Sequence, residues 1–163
     1  NKAGYKDGYP KTIELLTTSD YIDICEYIQH QAAQIGIEID IKLGTGASFR
    51  NMISKGKAEF FRGSWIADYP DPENYLALFY SKNKSPEGPN YTRFRNKTVD
   101  SLYQKALKTH QTKQKMNLYQ QIETIVMKQS PVVPLYYDKV VRFVQNDIKT
   151  KLPTIYNSRT NRY

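Results

Sequence analysis

Alternation and helical spacing of apolar positions divide the chain into short elements in which strand and helix trade places. TIELLTT, residues 12–18, reads as a strand after the loop-like AGYKDGYP, which carries two glycines and a proline. From Ser19 or Asp20, either able to cap a helix, apolar residues recur at Tyr21, Ile24, Cys25, Ile28, Ala32 and Ile35, and Gly36 supplies the stop. IEIDIKL then alternates, with Ile37, Ile39, Ile41 and Leu43 on one side. Strand, helix and strand in this order predict a βαβ unit with parallel strands and a right-handed crossover.

The pattern repeats once. After GTGAS, residues 44–48, a short helix around Phe49 to Lys55 closes on Gly56, and AEFFRGSW, residues 58–65, reads as the next strand. Glu73 to Tyr80 holds one or two helical turns, and SKNKSPEGPNYTRF is a loop rich in Gly, Pro, Asn and Ser. Two helices follow, one carrying Val99, Leu102, Tyr103 and Ala106, the other Met116, Tyr119, Ile122, Ile125 and Val126 before Pro131 forbids continuation. PVVPLYY and VVRFV read as strands, and residues 146–163 as an extended tail. The expected fold class is α/β, a mixed sheet with flanking helices, and residues 1–163 are expected to form a single domain.

Composition changes this picture little. With 163 residues, 39% apolar and 13% aromatic, the chain can bury one core. No apolar run approaches the length needed to cross a bilayer, and residues 1–20 lack a signal-peptide pattern, so a soluble piece is expected. Cys25 is the single cysteine, which excludes an intrachain disulfide and a cysteine-based metal site and makes it a core candidate. His30 and His110 have no metal-ligand spacing. GTG lacks the GxGxxG pattern, and neither GxxxxGK[ST] nor GxSxG occurs.

Charge needs locating before it is interpreted. Residues 1–80 hold 8 Lys/Arg against 11 Asp/Glu, whereas residues 81–163 hold 16 against 5, so the net +8 is C-terminal. Lys105, Lys108, Lys113, Lys115 and Lys128 fall away from the apolar helical stripes and read as a solvated basic face; an anionic partner is the competing reading. Fourteen tyrosines near basic residues could stack single-stranded nucleic acid, but they spread over the whole chain and several lie on apolar helix faces. Core packing explains them better, and no nucleic-acid partner is expected.

RGSWIADYPDP, residues 62–72, departs from structural economy. If AEFFRGSW is a strand, its carboxyl end delivers Trp65, Asp68 and Tyr69 where open α/β sheets bind ligands. Asp68 sits among apolar and aromatic neighbours and needs a cationic or hydrogen-bonding partner, which could be internal or a ligand. Asp71, between prolines, suits a turn or the cap of the segment from Glu73. A hydrolase using Asp68 with Asp71 or Glu73 is a rival reading, although no nucleophile-base pair can be assembled.

GYKDGYP, IQHQAAQIGIEIDI, RGSWIADYPDPENYL, NKTVDSLYQKAL and LYQQIETIVMKQSPVVPLYYDKVV together resemble the C-terminal part of the peptide-binding proteins of bacterial ABC importers, solute-binding family 5. The likeness runs from about Ala3 to Val144. It implies one lobe of a two-lobed periplasmic-binding-protein fold that encloses its ligand between lobes. It also implies that Asp68 takes a peptide's α-ammonium, that Arg62 meets the carboxylate end of a short ligand, and that Trp65 walls a side-chain pocket. Tyr136 and Tyr137 match a segment near the cleft. For Arg62 an internal ion pair with Glu59 or Asp68 is an equal expectation. The resemblance further implies a peptide ligand, an N-terminal lobe of the same full-length protein and ABC permease subunits as partners. No cofactor, metal or catalytic residue is implied. The implied location is extracytoplasmic, with a lipid anchor on the full-length protein as one option. Relatives of similar fold bind nickel complexes, haem or oligosaccharides, so Asp68 favours an amine-bearing ligand without fixing a peptide.

Overall fold

Three strands, β1 (Ile13–Thr17), β2 (Ile39–Leu43) and β3 (Phe60–Phe61), form a sheet in the order β2-β1-β3, with β1 parallel to both neighbours. Ile13 stands opposite Ile39 and Leu15 opposite Ile41, so the alternation in both sequences meets in register. The computed structural model describes Tyr5, residues 8–137 and Phe143. The expected tail of residues 146–163 lies outside these, as does most of VVRFV.

Parallel strands need a crossover, and helix α1 (Ile22–Ala33) supplies it between β1 and β2. Neither Ser19 nor Asp20 caps it. The chain enters through a 3-10 turn, Ser19–Tyr21, closed by the Tyr21 N–H to the Thr18 carbonyl at 3.1 Å, which places both candidates inside the turn. Gly36 ends the helix as expected: at φ +76° its N–H reaches the Ala33 carbonyl at 3.0 Å and Ile37 reaches Ala32 at 3.0 Å. Ile35, expected on the apolar face, falls beyond the helix end and is 71% exposed. Leu15, Cys25 and Ile39 form the buried centre, with Ile13, Ile24, Ile28, Ala32, Ile37 and Ile41 packed around it. Burial of each large aliphatic side chain contributes about 1.5–3 kcal/mol. The Gln29 amide donates to the Ile39 carbonyl at 2.7 Å and ties α1 to β2.

Helix α2 (Gly46–Ser54) ends at Gly56, φ +68°. Its last carbonyls are capped from a distance. The Arg93 guanidinium donates to the Ser54 carbonyl at 2.8 Å and the Ile53 carbonyl at 3.4 Å, and also to Tyr91 and Ser85. Ser85 Oγ adds a donor to the Ser54 carbonyl at 3.0 Å. A loop whose composition favours irregularity is thus fastened by one arginine to a helix terminus.

β3 is shorter than AEFFRGSW suggests. Leu15 pairs with Phe60 and Leu16 with Phe61, β1 ends at Thr17, and only the Arg62 N–H to the Leu16 carbonyl at 2.9 Å prolongs the ladder. Gly63 and Ser64 then have no strand to pair with. PVVPLYY, expected as a strand, is not one: residues 131–137 carry no strand pairing, and Pro131 and Pro134 have no N–H to offer a ladder.

The described residues gather into two compact units. One holds those up to Trp65 together with Lys82–Arg93; the other holds Ile66–Ser81 and those from Phe94 on. The second is helical: α3 (Glu73–Leu76), α4 (Lys97–Leu107) and α5 (Thr112–Gln129). Asn96 caps α4, its Oδ1 accepting from Thr98 and Val99 at 2.9 and 3.1 Å. Leu76, Tyr80, Phe94, Val99, Tyr103, Ala106, Leu118, Tyr119, Ile122 and Val126 form its core. Met116, expected on the apolar face of α5, is 40% exposed, whereas Leu118 is buried. Ser130, in the left-handed region at φ 50°, ends α5 just before Pro131.

Gly56 offers a test of the arginine cap. A Cβ there would stand 2.7 Å from Arg93 Nε and would have to adopt a left-handed backbone. Gly56→Ala is expected to cost about 1–3 kcal/mol by urea denaturation, since strain and displacement of the guanidinium act together. An unchanged midpoint would show that Arg93 does not hold this loop.

Candidate functional site

The chain leaves β3 at Arg62, whose guanidinium does not form the expected ion pair among the described residues. It lies over the Tyr21 ring, 3.2 Å from the centroid, in a cation-π contact. Trp65, half-buried, closes this stretch of the first unit.

Asp68 and Tyr69 lie in the second unit, on the loop leading to α3. Asp68 is exposed. Its backbone N–H donates to Oδ1 of the buried Asn74 at 3.3 Å, but its carboxylate has no hydrogen bond or ion pair among the described residues. The other acids of the loop are engaged. Asp71 Oδ1 accepts the Glu73 N–H at 2.9 Å, which is the expected turn role, while Oδ2 meets Lys115 Nζ from α5 at 2.7 Å. Glu73 accepts hydrogen bonds from two tyrosines, Tyr69 at Oε2 and the buried Tyr103 of α4 at Oε1. Tyr136 and Tyr137 follow α5 and are exposed, Tyr137 at 93%.

Electrostatics follow from these contacts. Burial alone would raise the Asp71 carboxyl, but the Lys115 hydrogen bond, the Glu73 N–H, the neighbouring Tyr119 hydroxyl and the Lys115 charge together hold it below its usual value. Lys115 is shifted upward, first by its hydrogen bond to Asp71. The Tyr69 hydroxyl is raised by its bond to Glu73 and then by burial. Burial likewise raises the Tyr119 hydroxyl, which lies beside the Asp71–Lys115 pair. Lys115 Nζ stands 5.5 Å from the centre of the Tyr119 ring. An open cleft of about 420 Å³, lined by Pro70, Asp71, His110, Lys115, Met116 and Tyr119 among others, lets water reach the pair. An ion-paired carboxylate such as Asp71 is a poor proton donor, which weakens the hydrolase reading.

Sequence reasoning missed Lys115, placing it with the solvated lysines. The signal was present: Lys115, Tyr119, Ile122 and Val126 are spaced by four, three and four residues, so this lysine shares the register of the buried stripe. Lys105, Lys108, Lys113 and Lys128 are exposed as expected. His30 and His110 are also exposed, and among the described residues no cluster of His, Cys, Asp or Glu could hold a metal. Cys25 is fully buried.

The solved structures that this fold matches are two-lobed periplasmic binding proteins. The ABC transporter-associated periplasmic binding protein DppA from Helicobacter pylori, solved in complex with the peptide STSA, superposes with a TM-score of 0.75 at 28% identity, over 82% of this chain and 26% of that one. The substrate-binding domain of an oligopeptide ABC transporter from Bacillus anthracis gives 0.68 at 28%, over 80% and 26%. The chain belongs to the bacterial extracellular solute-binding proteins, family 5, whose middle-region model matches residues 1–87. The glutathione-binding protein GsiB of Salmonella paratyphi A is 33% identical over 147 residues, 86% of this chain and 29% of that protein. The chain thus spans less than a third of the length of such relatives. Among the described residues no helix is long and apolar enough to cross a membrane.

The Asp71–Lys115 pair makes a pH prediction. A depressed carboxyl contributes stability that is present above its unfolded value, near 3.8, and lost as pH falls through the folded one. The raised lysine contributes stability present below 10.5 and lost as pH rises through its folded value. The stability gap between the wild type and Lys115→Met, about 1 kcal/mol because water reaches both groups, should be flat from about pH 5 to 9 and shrink on either side. Urea titrations across pH check it; a gap that stays constant down the acid limb and also above pH 10.5 would exclude an electrostatic origin.

Proposed function

We propose that this chain is part of an extracytoplasmic receptor of an ABC importer that binds short peptides, with Asp68 accepting the ligand's α-ammonium. The observation that carries the reading is the open carboxylate of Asp68 on a loop whose other acids, Asp71 and Glu73, are already satisfied. A receptor that accepts many side chains must draw affinity from what all peptides share, namely charged termini and a hydrogen-bonding backbone. Asp68 is shaped for the cationic end. Arg62 is assigned to the carboxylate end, Trp65 and Tyr69 to walls of the site, and Tyr136 and Tyr137 to its margin.

The remaining parts of the reading concern the whole protein. This chain supplies material of one lobe, and an N-terminal lobe of the same protein closes over the ligand. The receptor hands its cargo to permease subunits, performs no catalysis and is held outside the cytoplasmic membrane, with a lipid anchor as its attachment. DppA with its bound peptide and the glutathione-binding GsiB, itself named for a tripeptide ligand, support the ligand class.

Asp68→Asn in the intact protein tests the proposal, with trialanine and glutathione as probes. Loss of one partner of a desolvated charge pair costs about 2–5 kcal/mol, so titration calorimetry should show affinity reduced by about tenfold or more. Unchanged affinity for both probes would reject the role of Asp68.

A further inference from the structure

Among the described residues the Asp68 carboxylate has no side-chain partner, so what holds the loop sets its position. Short-range bonds give the loop its shape: the Asp68 N–H to Asn74 at 3.3 Å, the Asp71 N–H to the Tyr69 carbonyl at 2.9 Å, and the Glu73 N–H to Asp71 Oδ1 at 2.9 Å. All lie within seven consecutive residues and would survive if the loop swung as a body. Pro70 and Pro72 stiffen that body without fastening it.

Polar attachments from the loop to distant helices include a tyrosine and a lysine. Glu73, at the start of α3, is met by Tyr103, thirty residues away on α4. Asp71, three residues after Asp68, is met by Lys115, forty-four residues away on α5, at 2.7 Å. Lys115 is less than a third exposed and lies in register with Tyr119 and Ile122, on a helix whose core side chains are buried. Of these, the Lys115 bond is the one nearer in sequence to Asp68.

We infer that Lys115 and Asp71 are positioning residues for ligand capture: their ion pair fixes the loop on α5 so that the Asp68 carboxylate stands ready for an ammonium group. The inference rests on the reading of Asp68 as the ammonium acceptor. A charge-assisted hydrogen bond is short and directional, so loop conformers that misplace Asp68 do not form it. Apparent affinity falls in proportion to the competent fraction. Releasing Asp71 lowers that fraction while leaving Asp68 chemically intact.

A general loss of structure would weaken every ligand alike, whereas a positioning role acts on one group of the ligand. The readout is therefore a ratio: affinity of the intact protein for trialanine over its affinity for N-acetyl-trialanine, which lacks the ammonium. In the wild type this ratio should be large, and in Asp68→Asn it should collapse. Lys115→Met should lower it at least fivefold, Lys115→Arg should keep most of it, and Lys115→Met added to Asp68→Asn should change it less than twofold. If Lys115→Met does not fold, Asp71→Asn, which keeps an acceptor for the Glu73 N–H, carries the same expectation. A wild-type ratio in Lys115→Met or Asp71→Asn, while Asp68→Asn lowers it, overturns the positioning role alone. An Asp68→Asn protein with the wild-type ratio overturns the underlying reading instead.

Discussion

An ionised carboxylate can be left open toward solvent only if other groups hold the backbone that carries it. In the loop before α3 that work is divided among neighbours in sequence. Asp71 spends its charge on Lys115, and Glu73 accepts from Tyr69 and Tyr103. Asp68 gives up only its N–H, to Asn74. Ordering each backbone residue costs about 1–2 kcal/mol, and a net hydrogen bond returns about 1 kcal/mol. A seven-residue loop with two prolines therefore needs every one of these bonds, and Asp68 can remain unused only because the others are used.

The elements most legible in the sequence are those whose pattern and surroundings agree. β1, α1 and β2 follow from period-two and helical spacing, and the parallel pairing follows from the length of the crossover. Gly36 and Gly56 mark helix ends because each adopts a positive φ that other residues resist. What the pattern cannot carry is partner availability. AEFFRGSW has strand composition throughout, yet pairing stops at Phe61 because β1 ends. PVVPLYY is apolar enough for a strand, but two prolines remove donors and among the described residues it pairs with no strand. Lys115 was missed for the opposite reason: its charge outweighed its register. A lysine in register with a buried stripe points to a nearby acid, and Asp71 was available to be matched with it. Asp68 was legible as a conspicuous acid, but that no described residue pairs with its carboxylate is a fact of three dimensions.

The basic excess of residues 81–163 divides in a similar way. Lys105, Lys108, Lys113 and Lys128 are exposed and hydrated, while Lys115 and Arg93 are structural, one holding Asp71 and the other the last carbonyls of α2. The tyrosines divide too. Tyr80 and Tyr103 stack at 4.6 Å inside the core of the helical unit, and Tyr119 is buried beside them in the same cluster. Rings committed to a core offer no platform for bases, so the composition that suggested nucleic acid is accounted for by packing.

Under the receptor reading, two quantities set the strength of ammonium capture and they are physically separable. One is the fraction of loop conformers that present Asp68, which depends on Asp71, Lys115 and Glu73. The other is the removal of water from the pair once formed, which depends on what covers it. An exposed pair contributes at most about 1 kcal/mol, whereas truncation of a desolvated one costs about 2–5 kcal/mol. Position without enclosure thus leaves a weak contact, and enclosure without position buries a carboxylate that has no partner, which is worse than no site at all. A loop locked to α5 before the ligand arrives satisfies the first requirement in advance. The binding energy of the ligand is then left to meet the second.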